Sequence, residues 1–154
     1  MTKKPLAEGL EEFIKNHGIE KDKYGRLLFY KAVRSDRSSW YIESERSCDY
    51  QTVRRSERCK GVYKNGAEIS CHSVSNYRGS TCDRGLHVGS LLFARDFAER
   101  IMSSSCCHIL QVAVWPEDVV CVPYSQVEVK RNSWHKEPTG KIRVKKLQVI
   151  KRIK

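Results

Sequence analysis

Between Ser80 and Ile101 the chain reads STCDRGLHVGSLLFARDFAERI, which sets a thiol, an arginine, an imidazole and two glycines ahead of an amphipathic run. Three chemistries could use these groups. Arg78, Arg84 and His87 would favour the thiolate of Cys82 and make it a nucleophile, although no third group stands ready to orient the pair. His87 could hydrogen-bond a phosphate or ribose, with Lys31 adding charge. Tyr30, beside Lys31 in LLFYKAV, belongs to the same candidate set. A metal is the third possibility. Cys48, Cys59, Cys71, His72, Cys82 and His87 could donate to zinc, yet no C-x-x-C pair occurs, and close pairs mark structural zinc. No metal is expected. The plainer use of His87 is structural, a ring nitrogen that fastens a loop through a backbone carbonyl. The sequence favours that use, with Gly85 present for a positive φ or a close approach.

These groups need elements to hold them. Residues 5–16 place Leu6, Leu10, Phe13 and Ile14 on one helical face, with Gly18 as a left-handed stop. Asp22 to Gly25 reads as a turn into a buried strand over 27–33. Residues 34–79 are polar, with short candidate strands at 40–42, 50–53 and 61–63, and Asn65-Gly66 marks a tight turn before Glu68-Ile69. Leu86 to Val88 reads as a strand and Ser90 as an N-cap. The following helix carries Leu92, Phe93, Ala94, Phe97, Ala98 and Ile101 as its apolar stripe and ends at Ser103-Ser104-Ser105. Strands follow at 108–114 and 119–124, with Pro116-Glu117-Asp118 turning between them. A polar excursion at 128–140 precedes a last strand at 141–150, whose alternation slips at Lys145-Lys146. This pattern is a single α+β domain over 1–154, with its core at 18–150. The sheet is mixed or antiparallel, with an N-terminal helix and one central amphipathic helix.

Composition bounds the function. The chain has 154 residues, seven cysteines and a net charge of +11. No apolar run approaches the roughly 18 residues of a membrane span, and MTKKPLAEGLEEF lacks the apolar centre of a secretory leader. An odd number of cysteines in that setting reads as free thiols in a reducing compartment. The positive charge favours an anionic partner, whether nucleic acid, an acidic protein or a phosphate-bearing ligand. Arg54, Arg55, Lys130, Arg131, Lys136, Lys145 and Lys146 are the candidate binding cations, and Trp134 a candidate aromatic contact. Trp115 reads as packing at a strand end. No nucleic-acid motif interleaves aromatics with these charges.

The ordered segments EKDKYGRLLFYKAVRS, TCDRGLHVGS, ILQVAVWPEDVVCVPY and KIRVKKLQVI resemble the C-terminal domain of the rIIB-like proteins of tailed phages, over about residues 6–150. Cys82-x-x-Gly85-Leu86-His87-Val88 and Pro116-Glu117-Asp118-Val119-Val120 carry the likeness most specifically, and Tyr30-Lys31-x-Val33 is third. The resemblance implies a viral protein acting in the host cell cytoplasm or in the virion. It implies an accessory or interaction role with a host or viral protein, and leaves the molecular activity undefined. Longer members carry an extra N-terminal region with a helix-turn-helix-like segment that this chain does not show, so a DNA-binding role tied to it is not carried over. Residues 128–140 look like an insertion.

A weaker, architectural likeness links the same order of elements to ADP-ribosyltransferase-like folds, including RNA 2′-phosphotransferases. That likeness implies a site for NAD or ADP-ribose, with Tyr30-Lys31 and His87 at its first two positions. The late glutamate is the mismatch, because neither Glu117 nor Glu128 occupies a late-strand position, and the electrostatic part of catalysis would fail without it. The expectation is therefore a non-catalytic binding protein with no cofactor. An ADP-ribosyltransferase-like or 2′-phosphotransferase-like enzyme or nucleotide binder is the alternative, and direct nucleic-acid binding the third reading.

Overall fold

A computed structural model describes residues 5–37, 63–71, 74–81, 83–102, 107–130 and 138–154. The first helix, α1, runs Leu10–His17. It begins later than the apolar spacing suggests because Gly9 takes a φ of 85° at the N-cap, which leaves Leu6 outside and 41% exposed. Gly18, at φ 62°, closes it as expected. So short a helix is marginal alone. It is held by Leu10 and Phe13, both fully buried, with the Phe13 ring 6.3 Å from that of Phe29. Asp22 then builds the turn: its Oδ1 accepts the backbone N–H groups of Tyr24 and Arg26, and Gly25 supplies a φ of 91°.

Among the described residues, seven strands follow in one sheet. They are β1 (Leu27–Arg34), β2 (Glu68–Ser70), β3 (Leu86–Gly89), β4 (Cys107–Val114), β5 (Val119–Cys121), β6 (Lys141–Val144) and β7 (Lys146–Arg152). Their order is β2-β7-β4-β1-β3-β6-β5, and every pairing is antiparallel. The architecture is α+β. What reads in sequence as one strand at 141–150 is two strands, and the slip at Lys145 is where they part. β6 pairs with β3 and β5, whereas β7 pairs with β4 and β2. One residue thus joins strands that sit second from opposite edges, so the sheet must coil back on itself. Its inner face carries Phe29, Val33, Leu110, Val112, Ile142, Val144, Leu147 and Val149, with α1 packed against them.

The outer face is covered over part of its width by α2 (Leu91–Phe97), which continues as a π-helical turn over Ala98–Met102. Ser90 caps it as expected, its Oγ accepting the Phe93 N–H at 3.2 Å. Ala94 and Ala98 pack on Ala32 and Ile109 of the sheet. Leu92 departs from the expected stripe and is 43% exposed, while Asp96 is buried and paired with Arg100. The Asn65-Gly66 turn forms, with Gly66 at φ 85°, and β2 pairs with β7. The strand expected at 119–124 stops at Cys121, and Pro116–Asp118 is a single 3-10 turn. Strands expected at 40–42 and 50–53, Gly61-Val62 of the third, and the helix end at 103–105 lie outside the described residues. Tyr63 is in a turn and buried in the inner core.

Candidate functional site

Tyr30 and Lys31 lie on β1, where successive side chains alternate between faces. Lys31 follows the inner set of Phe29 and Val33, and Tyr30 the outer set. His87 lies on β3 between the inner-face residues Leu86 and Val88, and so points outward, opposite Arg143 of β6. The Lys31 ammonium and the His87 imidazole therefore leave opposite faces of the sheet and do not converge on one cleft. What joins the two residues is backbone. β1 and β3 share a single register point, Tyr30 with Gly89, against eight between β1 and β4. Beside that point the Lys31 Nζ donates to the His87 carbonyl at 2.7 Å and lies 5.6 Å from the centre of the Tyr63 ring.

Lys31 is only partly buried by surface area, yet its ammonium is hemmed in by protein. Burial, then the charge of Lys141, brings its pKa down to about 7. Tyr30 points its phenol oxygen at Gln111, whose Nε2 donates to it at 3.4 Å.

The polar centre of the molecule is a residue the sequence reading did not select. Arg143 is fully buried. Its Nε donates to the carbonyl of Ser75 at 2.9 Å and its Nη1 to that of Ser80 at 2.7 Å. Its Nη2 donates to the Tyr77 carbonyl and, at 2.9 Å, to the Cys121 sulfur. One guanidinium thus gathers the 75–80 loop that leads into the GLHV strand. Gly85, at φ 145°, lies so close that a Cβ there would meet Val74 at 2.7 Å and Arg143 at 3.4 Å. Burial pushes the Cys121 thiol up, against the opposing pull of Arg143. Arg78 does similar work at the surface, donating to the Val122 carbonyl at 2.8 Å and lying 4.2 Å from the centre of the Tyr124 ring. An arginine in an alternating basic strand carries no sequence signal that separates such a hub from a solvated charge.

The cysteines divide. Cys71 is disulfide-bonded, which corrects the expectation of free thiols throughout and removes one donor from the zinc set. Cys107 and Cys121 are not disulfide-bonded. Among the described residues no group of three His, Cys, Asp or Glu side chains could hold a metal ion. Cys82 lies outside them, as do Arg54, Arg55, Arg131, Trp134 and Lys136.

The remaining candidate cations are each matched by a carboxylate. Lys146 pairs with Glu68 at 2.9 Å, Lys130 with Glu128 at 3.5 Å and Lys145 with Asp118 at 3.9 Å. Positive charge without an ion pair among the described residues sits further along, at Lys151, Arg152 and Lys154, all exposed. His108, near this end of the sheet, has its imidazole held below the usual value first by burial and then by Arg152 and Arg37. Trp115, expected to pack at a strand end, is 43% exposed. No helix among the described residues is long and apolar enough to cross a membrane. Comparison with protein-family models, with curated proteins and with solved structures finds no match to this chain.

Proposed function

We propose that the chain is a phage-type accessory interaction protein that does no chemistry of its own and binds an anionic viral or host partner through its basic surface. The observation that carries this reading is the exposed run Lys151, Arg152 and Lys154, which makes no ion pair among the described residues, on a chain of net charge +11. Cations left unmatched at a surface attract and orient anionic partners. The groups a catalytic site would need are spent elsewhere, Lys31 on the His87 carbonyl and Arg143 on the 75–80 loop. The viral setting comes from the GLHV and PEDVV resemblance. The Cys71 disulfide favours the particle over the reducing cytoplasm as the place of action.

Retention on immobilised heparin tests the reading. The wild-type chain is expected to elute well above physiological salt, and Lys151→Glu with Arg152→Glu and Lys154→Glu to elute far earlier. Passage of the wild type without retention, or an unchanged elution of the triple variant, would overturn it.

A further inference from the structure

The outer face of the sheet is only partly roofed. α2 covers Ala32 and Ile109, and beyond it, toward β7 and β2, the register sets the remaining outward residues in rows. Tyr30, Gln111 and Lys151 lie side by side across β1, β4 and β7. Leu28, Ala113, Gln148 and Glu68 form the next row across β1, β4, β7 and β2. Arg26, Trp115 and Lys146 line a shallow groove at the end of this face. Its groups are mostly planar. Trp115, in its lining, is 43% exposed, and Tyr24, outside the lining but beside Arg26, is 62% exposed. Arg26 is fixed beside them by Asp22 Oδ2 at 2.7 Å and Gln148 Oε1 at 2.5 Å, with its guanidinium carbon 5.4 Å from the centre of the Tyr24 ring.

We propose that this uncovered half of the sheet is a platform for single-stranded nucleic acid, with unpaired bases stacking on Trp115 and Tyr24 and phosphates running along Lys151 toward Lys154. The inference rests on the reading of the chain as a binder of anionic partners and names the partner and its seat. A single strand offers what the face can use: π-faces for the rings, base edges for the carboxamide of Gln111, and regularly spaced phosphates for cations. A duplex keeps its bases stacked on each other, and an acidic peptide has no planar group to set against Trp115. The nearby carboxylates do not oppose a phosphate chain unaided, because Glu68, Asp22 and Asp118 are tied to Lys146, Arg26 and Lys145. Lys151, exposed and without an ion pair among the described residues, lies on the strand that carries Gln148 and in register with Gln111, where phosphates would pass.

Fluorescence anisotropy with the full chain separates the possibilities. The probes are a labelled oligouridine of roughly a dozen nucleotides, the same length of RNA duplex, and poly-glutamate. The single strand is expected to bind most tightly, with affinity that falls steeply with salt. Trp115→Ala should weaken it by about five- to a hundred-fold and leave poly-glutamate binding unchanged, with Tyr24→Ala a second variant of the same kind. Lys151→Glu should weaken both probes. Single-strand affinity indifferent to Trp115→Ala and Tyr24→Ala, yet lost on reversal of the three C-terminal cations, would overturn the platform and leave the anionic-partner reading standing. Poly-glutamate binding more tightly than the single strand would also overturn it and point to an acidic protein. Failure of the wild type to bind any probe would overturn both.

Discussion

Arg143 and Arg26 lie on the same outer face of one sheet, and their surroundings are opposite. Arg143 is sealed beneath the 75–80 loop with every nitrogen directed at a carbonyl or a sulfur. Arg26 lies at the rim of an open groove, held by one carboxylate and one carboxamide beside an exposed tyrosine. Where the face is covered, charged groups serve the fold, because a buried charge must be satisfied by the protein around it. Where it is open, planar and charged groups are positioned without being used up. The comparison teaches that the GLHV motif, which drew attention as chemistry, belongs to the covered half, and that the surface available to a partner lies beside it.

The largest effect should come from the covered half. Arg143→Ala removes the donors to three carbonyls of the 75–80 loop. Each stranded carbonyl carries a desolvation cost, and the sum is expected to reach about 3–5 kcal/mol. Denaturant unfolding would register this as a lower midpoint. A loss below about 1 kcal/mol would show that the loop holds itself in place, and the contrast between the two arginines would dissolve.

Lys31 offers a second test, one that depends on pH. Its pKa is about 7 in the folded chain, against an ordinary value of 10.5. Below about 7 the ammonium is charged in both states and contributes no slope. Between about 7 and 10.5 the unfolded chain holds a proton that the folded chain has released. Stability should therefore rise with pH across that window, by up to about 1.4 kcal/mol per pH unit. Lys31→Met should abolish this rise. Cys121, whose thiol is pushed above its ordinary value by burial, works in the opposite sense in both proteins, so the difference between them isolates Lys31. Parallel pH profiles for wild type and variant would mean that Lys31 is solvated rather than closing the gap between β1 and β3.

How legible this was in the sequence depends on distance along the chain. Gly18, Ser90 and Pro116 announce their caps and turn because each acts on backbone within a few residues of itself. The strand at Leu27–Arg34 is legible because burial on one face imprints alternation. The division of 141–150 was visible only as a slip, since nothing local says that Ile142 will join β3 and Leu147 will join β2. The same limit applies at the site. Tyr30-Lys31 and His87 look like one constellation in sequence, and strand parity, with the single register point between β1 and β3, sends the Lys31 side chain to one face and those of Tyr30 and His87 to the other. Arg143 was hidden because a buried hub and a solvent-facing arginine have the same letter and the same period.

The smallest expected effect falls on the open half, and its smallness is what gives it value. Lys151 is exposed and makes no ion pair among the described residues, so Lys151→Glu should change stability by no more than about 0.5 kcal/mol. Trp115 is 43% exposed and still covers part of Ala113 and its neighbours. Trp115→Ala should therefore cost about 1–2 kcal/mol, below the 3–5 kcal/mol typical of a buried aromatic. Thermal melts of the two variants measure both numbers. A Trp115 loss as large as that of Arg143→Ala would place the indole in the core and remove the distinction between the halves. A small loss of stability joined to a large loss of single-strand affinity is the combination that a residue kept for a partner, and not for the fold, must show.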